Sequence, residues 1–374
     1  MSTSHEQDRY GRRMSGAGTR VAGDDRDMAG SGTEETAEVG IASLLRMHTK
    51  VFGTAPEQVI PLKGDASERR MYRLHHGGET CIGVIGPHIP ENRAFIGFAR
   101  RFRAAGLPVP EIFSVDSSER LYLEEDLGDS TLAVWQQSVS QEKVIAMYTR
   151  VLETLLRFQI DVADVVDYDL CYQTREFGRE AMAFDLRYFR EMYLERLVRI
   201  PWDRNAFERD GALLIDMLLE ADRSYFLYRD FQSRNIMIHD DSPWFIDFQS
   251  GRRGALHYDL ASLLYDSRGG LFDDDRTLLL GRYLNALEQR FPVDRDVFLH
   301  LFDGFALLRL MQALGAFGNI GLNKGKPVYL DLIPSRLATL GAVAARAHIL
   351  DPIPNLRTLF LTVAADHPSH ERSH

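Results

Sequence analysis

Only two cysteines, Cys81 and Cys171, occur in the 374 residues, and neither belongs to a C-x-x-C pair. That argues against both a disulfide framework and a thiolate zinc site. Lysine is missing over a long stretch, with none between Lys63 and Lys143. No apolar run approaches the ~18 residues of a membrane span. The most apolar stretch, "DGFALLRLMQALGAFG", is broken by Arg309 and Gln312. The start, "MSTSHEQDRYGRRMSG", lacks the apolar h-region of a signal peptide, so a reducing cytoplasm is the expected setting. Positive charge is in deficit, 44 Lys+Arg against 54 Asp+Glu, for a net charge of -10. Such a chain is poorly suited to nucleic acid or an anionic membrane, which leaves room for a local basic pocket with an anionic ligand.

What is present fits a two-lobed protein. Residues 1–39 are rich in Gly, Ser, Thr and charge, which predicts a disordered tail. From 40 to 125, short strand patterns alternate with turn chemistry around one helix, "ENRAFIGFARRFRAAG", which Gly106 should stop. "HHGG" at 75–78 predicts a hairpin between "RMYRL" and "TCIGVI". From 126 to 365 long helical patterns dominate, interrupted by short strands around 228–248, and 366–374 reads as a flexible C-terminus.

The chemistry gathers in "LYRDFQSRNIMI" (227–238) and "WFIDFQS" (244–250). Phosphoryl transfer needs a carboxylate for the attacking hydroxyl and hard oxygen ligands for magnesium. Asp230 and Asn235 have the D-x-x-x-x-N spacing that puts a base and a metal ligand on one tight loop. "NIMIHDDSPWFID" then reads as strand, Asp-Asp-Ser-Pro turn and strand, returning Asp247 beside them. The bland alternative is a polar hairpin with capping side chains, and Asp259 in "YDLA" equally suits a helix N-cap.

With "GDASERRMYRL", "LEEDLGDSTL", "RDFQSRNIMI" and "FIDFQSGRRGALHYDLASLLYD", residues 55–345 resemble the aminoglycoside phosphotransferase/choline kinase-like family. Within it they are most similar to the bacterial N-acetylmuramate/N-acetylglucosamine anomeric kinases, which share the Gln found here at Gln249. The resemblance implies an α+β, protein-kinase-like fold with a small antiparallel-sheet lobe and a larger helical lobe. It implies ATP and Mg2+ as cofactors and a sugar hydroxyl as acceptor. Asp230 would be the base, Asn235 and Asp247 the magnesium ligands, and Arg229 and Asp259 supports of the loop. The Leu123–Asp126 backbone, with Glu124 and Asp126, would hold adenine.

Two departures from the pattern stand out. Tyr228 occupies a position where many kinases have His. The strand "CIGVIG", where the phosphate-binding lysine belongs, has none. Arg69, Arg70 and Arg73, beside a turn containing Gly64 and Ser67, are the candidates to grip phosphate in its place. Their alternative is a set of solvated edge-strand charges. Glu91 reads as a helix-start residue favoured by the macrodipole. On the acceptor side, Asp185 with Tyr188 and Arg309 with Gln312 sit at i, i+3 on helices, as substrate groups or as internal networks. The missing lysine also motivates a nucleotide-binding module without turnover, and the family admits another small alcohol or an aminoglycoside as acceptor.

Overall fold

The computed structural model describes residues 31–62 and 68–366, with side chains from residue 39 onward. Gly64, Ser67, residues 1–30 of the expected tail and residues 367–374 lie outside the described residues. The chain divides into two units, Met1–Ser43 and Leu44–His374. The described part of the first is the beginning of a helix, Ser31–Phe52, which starts inside the stretch read as a tail.

Five strands build the sheet: β1 (Gln58–Leu62), β2 (Arg70–His76), β3 (Glu79–Ile85), β4 (Ile112–Val115) and β5 (Leu121–Glu125). Their order is β1-β2-β3-β5-β4, and every pairing is antiparallel. The β2–β3 hairpin turns on Gly77 and Gly78, with φ of 57° and 85°. Two successive positive φ values match the right-handed strand twist, and glycine adopts them without a Cβ clash. His75 and His76 therefore belong to the strand rather than the turn.

Strand alternation sorts the side chains onto two faces. Leu74, Cys81, Leu121 and Leu123 form one small core with Leu44. Ile82, Val84 and Tyr122 face the other way, into the main core, where the helix Ile89–Ala104 contributes Phe95, Phe98 and Phe102. Gly106 (φ 72°) ends that helix turn, as its position predicts.

Beyond Glu125 the chain is mostly helical, with two small ribbons. β6 (Tyr225–Leu227) pairs with β9 (Arg252–Gly254), and β7 (Ile236–His239) pairs with β8 (Ser242–Phe245). The β7–β8 turn is shorter than the Asp-Asp-Ser-Pro turn expected. Asp240 and Asp241 alone occupy it (φ 47° and 52°), and Ser242 and Pro243 join the strand. A two-stranded ribbon tolerates Pro243 because a missing donor on an outer edge breaks no ladder.

The longest helix, Arg295–Asn323, runs through the helical lobe. Although no unbroken apolar run reaches the length of a membrane span, by length and average composition this helix and Pro327–Arg346 are apolar enough to cross a membrane, and their most apolar stretches are 67% and 44% buried inside the protein. Gly318 lets the long helix approach its neighbour closely, since a Cβ there would lie 2.2 Å from the Met192 carbonyl oxygen.

Candidate active site

The loop after β6 bends sharply at Arg229, whose φ of 80° is costly for a side chain with a Cβ. The fully buried Asp259 carboxylate holds the bend, accepting the backbone N–H of Tyr228 at 2.7 Å and of Arg229 at 2.9 Å. Burial pushes the Asp259 carboxyl up to about 7. The two amides pull against that rise, and Asp230 adds to it. The Arg229 guanidinium makes a bidentate pair with Asp185, at 2.9 and 2.8 Å, and lies 4.8 Å from the Phe177 ring centre. Tyr228, buried, donates from its hydroxyl to the Ile246 carbonyl at 2.6 Å. It thereby ties the loop to the segment leading into Asp247.

The Asn235 and Asp247 side chains and the Asp230 backbone carbonyl meet there. Asn235 Nδ2 donates to the Asp230 carbonyl at 2.8 Å and to Asp247 Oδ2 at 3.2 Å. Asp230 Oδ1 accepts from Gln232 at 3.4 Å, and the residue lines a cavity under the loop. Asp247 is itself at positive φ (70°). The next residue anchors it: Phe248 is fully buried, stacks on Phe95 at 4.8 Å and meets Phe102 edge-on at 5.2 Å.

Arg69 reaches this group from the sheet. Its Nη2 donates to Asp247 Oδ1 at 2.8 Å, and its Nε lies 3.5 Å from Glu91 Oε1. Gln249 spans the same two carboxylates, donating to Asp247 at 2.9 Å and to Glu91 at 3.4 Å. Burial pushes the Asp247 carboxyl up, but Arg69 foremost, with Gln249 and Arg234, outweighs it and holds the group below the usual carboxylate range. An ionised carboxylate beside an amide is the hard donor set a divalent cation takes. The guanidinium on Asp247 Oδ1 shows that this position is stabilised by positive charge.

The other expected nucleotide contacts are placed differently. Arg73 is clamped between Asp126 (Nη2–Oδ1 3.0 Å) and Asp129 (Nη2–Oδ1 2.9 Å), where the sheet meets the helices. Arg70 is exposed at the start of β2. Glu124 is 6% exposed, with Oε2 lacking a hydrogen-bond partner, and burial pushes its carboxyl up to about 8 despite Arg69.

On the acceptor side, Arg309 and Gln312 line the same cavity as Asp230. They hydrogen bond to each other at 2.6 Å, and Arg309 Nε donates to Ser262 at 3.0 Å. Asp185 is 1% exposed and committed to Arg229, so its carboxylate belongs to the loop support rather than to the cavity wall. Tyr188 stacks on Phe184 at 5.8 Å.

Glu91 sits in the first turn of its helix, as expected, and also pairs with Arg69, while Arg336 and Asp266 are not among the expected site residues. Asp266 accepts from the Ser233 amide at 2.8 Å and fastens the loop. Arg336 had a legible signal. It stands at i+3 from Ile333 and beside Leu337 and Leu340, in the apolar stripe of its helix.

The family model described as APH, phosphotransferase enzyme family, matches residues 58–297. The N-acetylmuramate/N-acetylglucosamine kinase of Pseudomonas aeruginosa is 29% identical over 301 residues, covering 78% of this chain and 85% of that one. Its namesake in Caulobacter vibrioides is 25% identical over 320 residues, covering 73% and 84%. Among solved structures, an amicoumacin kinase in complex with AMP-PNP, Ca2+ and Ami superposes with a TM-score of 0.55 at 16% identity, covering 81% of this chain and 94% of that one. A choline/ethanolamine kinase family protein from Mesorhizobium loti gives 0.53 at 16%, covering 80% and 92%. At these identities the structural likeness carries the fold, a protein-kinase-like arrangement of sheet lobe and helical lobe.

Proposed function

We propose that this chain, which belongs to the phosphotransferase enzyme family and is a kinase with a hydroxyl acceptor, transfers the terminal phosphoryl group of ATP to an amino sugar. The anomeric hydroxyl of N-acetylmuramate or N-acetylglucosamine is the favoured acceptor, in keeping with the names of the relatives. The observation that carries the reading is the way Asn235, on the strained loop of Asp230, reaches both the Asp230 backbone carbonyl and Asp247 behind β8, with Arg69 bridging Asp247 and Glu91.

Each side chain has a task in this reading. Asp230, half-exposed at the cavity, orients the sugar hydroxyl and takes its proton. Asn235 and Asp247 would hold Mg2+, which when bound would supply charge neutralisation for the phosphate oxygens. Arg69 supplies the cation that the lysine-free third strand lacks, and Glu91 and Gln249 fix its direction. Asp259, Asp185 and Tyr228 keep the loop in its strained shape, so the donor and acceptor groups are held in place before substrate arrives. In this reading residues 40–125 form the nucleotide lobe and 126–365 the catalytic lobe.

The test is ADP release with ATP and Mg2+ over a panel of amino sugars and aminoglycosides, followed by phosphorus NMR of the product. A sugar 1-phosphate from N-acetylmuramate or N-acetylglucosamine is expected. Turnover of aminoglycosides alone would replace the proposed acceptor, and metal-dependent ATP binding without any turnover would replace the reading with a nucleotide-binding module.

A further inference from the structure

The cavity under the catalytic loop is built with more positive charge than a neutral sugar needs. Arg336 is 5% exposed, and its Nη1 donates to the Tyr265 carbonyl while its Nε has no hydrogen-bond partner. Arg309, on the facing helix, is satisfied by two neutral groups, Ser262 Oγ and Gln312 Oε1. Among the described residues neither arginine has an ion pair with a carboxylate within 4.0 Å, and both line the cavity that Asp230 lines. Asp266 also lines it, but its oxygens are engaged by Ser233 N at 2.8 Å, Ser233 Oγ at 2.5 Å and Arg268 N at 3.2 Å.

A buried guanidinium without a carboxylate is unfavourable unless a ligand supplies the negative charge. Burial lowers the Arg336 pKa to about 10, Asp266 opposing the shift and Arg309 and Arg276 reinforcing it. The two guanidiniums present planar, multidentate donors, a match for a carboxylate rather than for sugar hydroxyls. Asp230, on the same cavity, repels an acid, so an acidic acceptor binds with its carboxylate away from Asp230 and a hydroxyl toward it.

We propose that Arg309 and Arg336 form an anion subsite in the acceptor cavity, and that the physiological acceptor is a sugar carrying a carboxylate side arm. This rests on the sugar-kinase reading above and deepens it. Of the two favoured acceptors, N-acetylmuramate carries such an arm, a lactyl ether, and N-acetylglucosamine lacks it. Arg309 and Arg336 are then the residues that rank one above the other.

The experiment compares kcat/KM for N-acetylmuramate and N-acetylglucosamine in the wild type, Arg309→Gln, Arg336→Gln and Arg336→Lys. Losing a charge-assisted hydrogen bond lowers the muramate-to-glucosamine ratio about 10- to 100-fold in the two Gln variants, and Lys keeps part of it. A ratio that stays at the wild-type value, even where both activities fall together, overturns the proposal, because a purely structural role moves both sugars alike. If Arg336→Gln fails to fold, the half-buried Arg309→Gln decides. If the wild type turns over no amino sugar, the sugar-kinase reading fails separately. The subsite is then read from calorimetric titration with galacturonate against galactose. A preference for the acid that disappears in Arg309→Gln supports it, and equal binding of the two overturns it.

Discussion

The Arg69 guanidinium stands 2.8 Å from the Asp247 carboxylate although 178 positions separate the two residues. One comes from the segment just before β2, and the other follows a hairpin of the helical lobe. Their contact, shared with Glu91 at 3.5 Å, joins the two halves of the cleft by charge. In the proposed reading Arg69 takes the place of the lysine that is absent between Lys63 and Lys143.

Replacing Arg69 is expected to strike nucleotide binding first. Arg69→Ala should weaken ATP about 10- to 100-fold, the loss associated with hydrogen bonds to charged groups, and Arg69→Lys should recover part of it. Arg73→Ala, whose parent is clamped by Asp126 and Asp129, should affect affinity less and melting temperature more. Calorimetric titration of all three variants checks this, and unchanged affinity in Arg69→Ala would exclude the role.

Asp230→Asn should lower kcat by about 10²- to 10⁴-fold, the range for removing a general base. Its stability should barely move, since the carboxylate has one long contact, 3.4 Å to Gln232. Full turnover by a variant that melts like the wild type would mean the base lies elsewhere.

Asp185→Ala should destabilise the protein by roughly 3–5 kcal/mol, because it strands Arg229 as a buried, unpaired cation. Asp185 is 1% exposed and bidentate on Arg229, which is why the cost is that of a core ion pair rather than a surface one. Urea denaturation measures it, and a loss below 1 kcal/mol would show that water or a rearranged loop replaces the carboxylate.

Asp259 gives a pH signature. Its folded-state pKa of about 7 lies above that of an unfolded aspartate, so folding takes up a proton. The stability linked to that proton is fully present below about pH 4 and is lost as pH rises toward 7. Asp259→Asn lacks this dependence, so it should gain on the wild type across that interval. Denaturation curves at several pH values test the sign, and a gap independent of pH would mean that Asp259 is ionised throughout.

Phe248→Ala should cost about 3–5 kcal/mol, as large core truncations do, and should lower activity beyond that loss. The ring's stack on Phe95 fixes the backbone on which Asp247 is carried. Normal kcat in a destabilised Phe248→Ala would separate packing from function.

The sequence by itself determined whatever is encoded in short spacings. D-x-x-x-x-N, the strand returning Asp247, the Gly77–Gly78 hairpin and the alternation placing Arg69 and Arg73 on one face are local rules of geometry. The family likeness rests on the same short motifs. Only the tertiary structure decided between equals. Alternation offers Arg69 and Arg73 identically, and the position of Asp126 and Asp129 beside one of them leaves the other to reach Asp247. Asp185 and Tyr188 look alike as an i, i+3 pair until Arg229 arrives from 44 residues away and takes the carboxylate. Arg336 looks misplaced in an apolar stripe until the long helix brings Arg309 to the same cavity. Charges act through space over a few ångströms, so which of them pair is settled by the packed fold and not by their order along the chain.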